Sequence, residues 1–210
     1  MRDPYLYPNT NILKNKHNVK NEKDLEEMEA EYTSLRLKQI VENPLPGDYD
    51  FQHLCELHRW IFQDIYEWSG VPRTIDIEKP EPVLGGISIE YAEVKLIEEQ
   101  TNKILEKMAS IKWDKLTLNE KAEKFAKNMA ELWKVHPFRE GNTRTVITFC
   151  CQFAEHKGFI IDRTLLEKYS VYVRTSLVAA AAYFSDLGDK SKPEYLIKIV
   201  RDSIEKGQEV

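Results

Sequence analysis

The residues whose types and spacing could do chemistry crowd into one stretch, His136-Pro137-Phe138-Arg139-Glu140-Gly141-Asn142-Thr143-Arg144. A histidine ordinarily titrates near neutrality, so His136 suits a general base acting on a hydroxyl. Glu140, with arginines around it to favour its ionised form, is the kind of carboxylate that seats Mg²⁺ beside bound phosphates. Gly141 lets backbone approach a ligand closely, while Asn142 and Arg144 put a neutral donor and a fixed positive fork on one turn. Where such a run leads from a loop into a helix, the free amides at the helix start form an anion cradle. A base, a metal-seating acid and an oxyanion cradle within nine residues describe phosphoryl or nucleotidyl transfer, in which positioning and charge neutralisation do most of the catalysis. Singly, each residue has a plainer use. Glu140 and Arg144 are also an i, i+4 pair worth about 0.2–0.5 kcal/mol, and no second His or Cys lies at zinc-ligand spacing.

These side chains need a helix before them and a helix after. Periodicity predicts both, over roughly 117–134 and 142–157, the second with Val146, Phe149, Cys150 and Phe153 on one face. Asn21 to Asn43 reads as a helix capped by Asn21, with Glu22, Asp24, Glu26 and Glu27 in its early turns and Pro44-Leu45-Pro46-Gly47 as its stop. A further helix opens at Asp50 and carries Leu54, Leu57, His58, Ile61, Phe62 and Ile65 to an end at Ser69-Gly70. His58 is expected to face the core. The alternation from Arg73 to Ile77, resumed at Ile87 to Ile89, predicts a short hairpin or flap at about 74–89. Helices near 90–109, 162–184 and 193–206 complete an all-α single domain. Residues 1–20 are polar, with Tyr5 and Tyr7 as anchors, and are expected to lie extended over the domain surface.

The chain has 210 residues, long enough to bury a core without disulfides or metals. Lys plus Arg number 30 against 35 Asp plus Glu, a net charge of −5 that argues against a phosphate-backbone binder. Three cysteines at no framework spacing read as reduced thiols, and no apolar run nears the ~18 residues of a membrane span. Together these predict a cytoplasmic protein without direct nucleic-acid or membrane binding.

The run at His136 resembles the signature loop of Fic-domain proteins, H-x-F-x-[D/E]-G-N-x-R, at every fixed position: His136, Phe138, Glu140, Gly141, Asn142 and Arg144. His58 to Arg73 is similar to the helix and turn that precede the flap in that family, and Arg2 to Pro8 to the opening of class I Fic toxins. The resemblance implies a Fic-fold helical bundle with a small β-hairpin flap, the Fic domain spanning 21–210 behind an arm at 1–20. It implies protein adenylylation: AMP moves from ATP, with Mg²⁺ or Mn²⁺, to a Tyr, Thr or Ser hydroxyl of a target protein. On that basis His136 is the base and Glu140 the metal ligand. Gly141, Asn142, Thr143 and Arg144 hold the phosphates, and Phe138 anchors the loop in the core. Thr74, Ile75, Asp76 and Ile77 of the flap dock the target by backbone pairing. In the class it resembles, type II topoisomerase subunits are known targets.

Two positions depart from the pattern. Thr143 stands where many Fic loops have Gly, and Ile147 where they have a second Arg. Ile147, one helical turn after Arg144, is expected to face the same cavity, where it offers nothing to a γ-phosphate. The missing Arg is reminiscent of the Doc branch, which phosphorylates its targets, so a Doc-like kinase and a catalytically silent binding module stay open. Self-inhibited Fic proteins carry [S/T]-x-x-x-E-[G/N]. Only Thr74 to Glu78 has that spacing, followed by Lys79, so a separate small antitoxin with an S/T-x-x-x-E-G helix is the expected partner.

Overall fold

The computed structural model describes residues 3–208. Eight helices appear among them: α1 (Glu22–Glu42), α2 (Phe51–Phe62), α3 (Ile97–Ser110), α4 (Leu118–Val135), α5 (Asn142–His156), α6 (Arg163–Lys168), α7 (Ser170–Ala180) and α8 (Glu194–Gly207). A two-stranded antiparallel ladder, β1 (Tyr183–Phe184) with β2 (Gly188–Asp189), sits between α7 and α8. The chain is all-α, as expected. Side chains close the helix starts. Asn21 accepts from the Asp24 amide, Asp50 from His53, and Thr117 and Glu120 form a reciprocal capping box.

Helix α4 is the axis of the bundle and packs against α3, α5, α7 and α8. Its buried face, Ala122, Phe125, Ala126, Met129, Leu132 and Trp133, meets Phe149, Cys150 and Phe153 of α5 and Leu196, Val200 and Ile204 of α8. Cys150 and Cys151 are both buried, and all three cysteines are free. A second cluster joins Leu25 of α1 to Ile61, Phe62, Ile65 and Tyr66.

Four expectations shift. The helix expected near 90–109 begins at Ile97, after a 3₁₀ turn at Val94–Leu96. Helix α2 stops at Phe62 rather than near Ser69. There the Ile65 and Tyr66 amides both return to the Phe62 carbonyl, and the turn buries both side chains against α1. The stretch near 162–184 is α6 and α7, broken at Tyr169, with β1 at its end. The segment at 74–89 closes through one bridge, Pro80 to Ser88, around a 3₁₀ turn at Pro82–Leu84. Its prolines supply no amide for a longer ladder, so the paired strands among the described residues are at 183–189 and not in the flap. The N-terminal arm is pinned to the domain at several points along its length: Asp3 pairs with Arg139, Tyr5 bonds Thr74, and the Lys16 amide donates to the Ile65 carbonyl.

Candidate active site

The loop between α4 and α5 begins with a left-handed residue that is not glycine. His136 has φ 52° and ψ 57° and ends α4 as its C-cap, an unusual conformation for an L residue that costs about 1–2 kcal/mol. The surroundings hold it there. The wholly buried Arg73 donates from Nε to the His136 carbonyl at 2.9 Å, while its own amide donates to Pro137 at 2.8 Å. Its remaining nitrogens bond the Ile75 and Ala92 carbonyls. One side chain therefore ties the base of the flap to the α4–α5 loop.

The His136 imidazole is 3% exposed, stacked on Tyr91 at 4.0 Å and edge-on to Trp133 at 5.2 Å. Neither of its ring nitrogens has a hydrogen-bond partner among the described residues. Burial, helped by the nearby Lys79 ammonium, pushes its pKa well below the usual histidine range, against the pull of Glu140. The ring is therefore neutral and able to accept a proton. A buried, unsatisfied imidazole is costly unless something arrives to use it.

Glu140 lies half-buried at the start of α5, with Oε2 2.7 Å from Lys79 Nζ and Oε1 accepting from the Gly141 amide at 3.0 Å. Burial pushes its pKa up, but Lys79 and the Gly141 amide together hold it at about 2. Gly141 follows with φ 79°, and a Cβ there would collide with the Phe62 ring, so only glycine fits. No side chain among the described residues caps α5, whose first amides have no acceptor within the helix. They are the donors an anion needs.

Phe138 is fully buried and stacks on His58 at 3.8 Å, anchoring the loop in the core. Asn142 is spent on the loop itself. Its Nδ2 donates to the Phe138 carbonyl at 2.7 Å and its Oδ1 accepts from the Phe138 amide at 2.9 Å. Thr143 accepts from Trp133 Nε1 at 2.9 Å, leaving its amide at the helix start. Arg144 turns towards α1, where it pairs with Glu29, bonds Thr33 Oγ1 at 3.0 Å and lies over the Phe62 ring at 4.7 Å. Ile147 is half-buried against the main core. In the flap, Thr74 bonds Tyr5, the Ile75 carbonyl accepts from Arg73, and Asp76 meets Arg73 and the Val94 amide. Asp76 and Ile77 line a cavity of about 530 Å³ with Glu78 and Arg139.

Sequence reasoning missed Lys79, Glu29 and Arg73. Glu29 had a signal: it falls between Leu25 and Thr33, both buried, so an acid sits on the inward stripe of α1. Lys79 had none, because only the folded flap brings it to Glu140. Among the described residues no three His, Cys, Asp or Glu side chains gather into a metal cage. Mg²⁺ held between phosphates and one carboxylate does not require one. A single ionised carboxylate beside free helix-start amides fits that mode.

The chain is similar to known proteins in sequence and in fold. Residues 48–154 match the Fic/DOC family model. A protein of Sinorhizobium fredii named probable protein adenylyltransferase y4lH is 34% identical over 171 residues, covering 80% of this chain and 83% of its own length. The probable protein adenylyltransferase Fic of Escherichia coli is 31% identical over 170 residues, 80% of each chain. The N-terminal Fic domain of a VirB-translocated Bep effector from Bartonella quintana, solved with bound ADP, superposes with a TM-score of 0.74 at 25% identity, covering 95% of this chain and 93% of that one. With its signature loop set between two helices of the same bundle, the chain belongs to the Fic/DOC family.

Proposed function

We propose that this Fic-type nucleotidyltransferase moves AMP from ATP to a Tyr, Thr or Ser hydroxyl of a target protein. The observation that carries the reading is the His136 imidazole, buried, neutral and unpartnered at both nitrogens among the described residues, next to an ionised Glu140 and the open start of α5. In this reading one His136 nitrogen takes the proton of the incoming hydroxyl. The oxygen attacks the α-phosphorus, and the bond to the β-phosphate oxygen breaks to release pyrophosphate. The amides at the start of α5 hold the phosphate oxygens, with Asn142 fixing the curve of the loop that presents them. Glu140 would hold Mg²⁺ or Mn²⁺, which when bound neutralises phosphate charge. Lys79 must then give up the carboxylate.

An apolar cavity of about 780 Å³, lined by Val83 and Leu84 of the flap and by Tyr172, Ser176 and Tyr195, has the size and lining for a purine. The segment Thr74, Ile75, Asp76 and Ile77 bends at Thr74 and Ile75 and belongs to no strand among the described residues, which leaves room for a target segment to pair beside Asp76 and Ile77. The target and the cytoplasmic location remain those the resemblance implies, a type II topoisomerase subunit being the candidate. A small antitoxin supplying a Glu would meet an Arg144 already paired with Glu29. A Doc-like kinase is the second reading, favoured by Ile147 packing as an apolar residue where a second Arg would bind phosphate. Labelling targets with ATP carrying ³²P at the α or the γ position tests both, since only adenylyl transfer leaves the α label on protein.

A further inference from the structure

His58 of α2 is the best-held titratable side chain outside the reacting groups. It is wholly buried, with its ring between Phe62 at 4.7 Å and Phe138 at 3.8 Å, tilted by 27° and 17°. Its Nδ1 accepts the Gly70 amide at 2.8 Å, and its Nε2 lies 3.0 Å from the Glu140 carbonyl oxygen. A backbone amide can only donate, so Nδ1 is the unprotonated nitrogen. The proton is then on Nε2 and is donated to Glu140. Both the tautomer and the ring orientation are fixed by main-chain groups. Burial pushes the ring's pKa down to about 3, so it stays neutral.

In a trans peptide the carbonyl and the following amide point in opposite directions. A Glu140 carbonyl drawn inward to His58 therefore sends the Gly141 amide outward, where it meets Glu140 Oε1. We propose that His58 is a positioning residue, which sets the Glu140–Gly141 peptide plane so that the Gly141 amide and the Glu140 carboxylate face the phosphate cradle together. It touches no substrate and acts through the backbone alone. The Phe62 ring completes the device from the other side by excluding any Cβ at residue 141. The proposal rests on the reading of this loop as a phosphate site only for its consequence, not for the orientation itself.

The test uses two variants and the wild type. In His58→Asn the shorter amide can still accept from Gly70 but cannot reach Glu140, whereas in His58→Gln the longer amide can donate to Glu140. The Asn variant is expected to lose roughly 10–100-fold in ADP affinity by calorimetry, the worth of one amide bond to a phosphate. The Gln variant is expected to recover most of it. In ligand-free protein the Gly141 amide resonance should move in the Asn variant and lie near its wild-type position in the Gln variant. The wild-type His58 should show the Nε2-protonated tautomer in ¹⁵N spectra. A folded Asn variant with unchanged ADP affinity and Gly141 resonance overturns the proposal, as does an Nδ1-protonated His58. If wild-type protein fails to bind ADP while the Gly141 resonance still follows His58, the positioning stands and the phosphate reading fails.

Discussion

At the scale of single residues, the proposed catalysis depends on keeping one imidazole neutral and one carboxylate charged within a turn of each other. The same burial that pushes His136 down would push Glu140 up, and Lys79 with the Gly141 amide decides the second case. His136→Ala is expected to cut target labelling by roughly 10²–10⁴ while ADP binding persists, since the base serves the hydroxyl and not the nucleotide. The wild-type rate should show no acid limb near pH 6.5, because a lowered pKa keeps the base form present well below that value. Glu140 gives a stability test with a definite sign. Its folded pKa lies below the ordinary 4.5, so its contribution is full above that value and is lost as pH falls towards about 2. The difference in melting temperature between wild type and Glu140→Gln should accordingly narrow below pH 4.5. His136 and Glu140 were legible as a candidate pair because residue type and spacing alone announce them. The uses of Asn142 and Arg144 were not, because each spends its donors on a partner that only the fold supplies.

At the scale of elements, the helix starts and the α4–loop–α5 join follow from caps and periodicity, which are local. The broken stretches were hidden for the opposite reason. Nothing local stops α2 at Phe62; the turn forms because Ile65 and Tyr66 gain more by packing on α1 than by extending a stripe. Helix α1 also reaches into the site, through Glu29. Glu29→Gln removes the charge that holds Arg144, and it is expected to raise ADP affinity by roughly 3–10-fold as the guanidinium becomes free for phosphate. Calorimetry on the folded variant checks this, and an unchanged affinity would mean Arg144 never reaches the nucleotide. The flap is fastened at a second point by Arg174, which forms two 2.8 Å bonds with Glu81, a carboxylate only 1% exposed. Arg174→Ala strands that carboxylate and is expected to cost about 1.5–3 kcal/mol, with faster proteolysis in the flap.

At the scale of the whole molecule, three segments distant in sequence converge on one short loop. The arm arrives through Asp3 at Arg139, the flap through Lys79 at Glu140 and Arg73 at His136, and α1 through Glu29 at Arg144. None of the helices among the described residues is long and apolar enough to cross a membrane. In the proposed function this convergence gathers His136, the start of α5 and Glu140 into the site that transfers AMP. The most direct test is to incubate wild-type protein and His136→Ala with candidate targets and ATP labelled at either the α or the γ phosphate. A target is expected to gain the α label with wild type, none of the γ label, and neither with His136→Ala. Transfer of the γ label without the α label, or undiminished α labelling by His136→Ala, would contradict the proposed function.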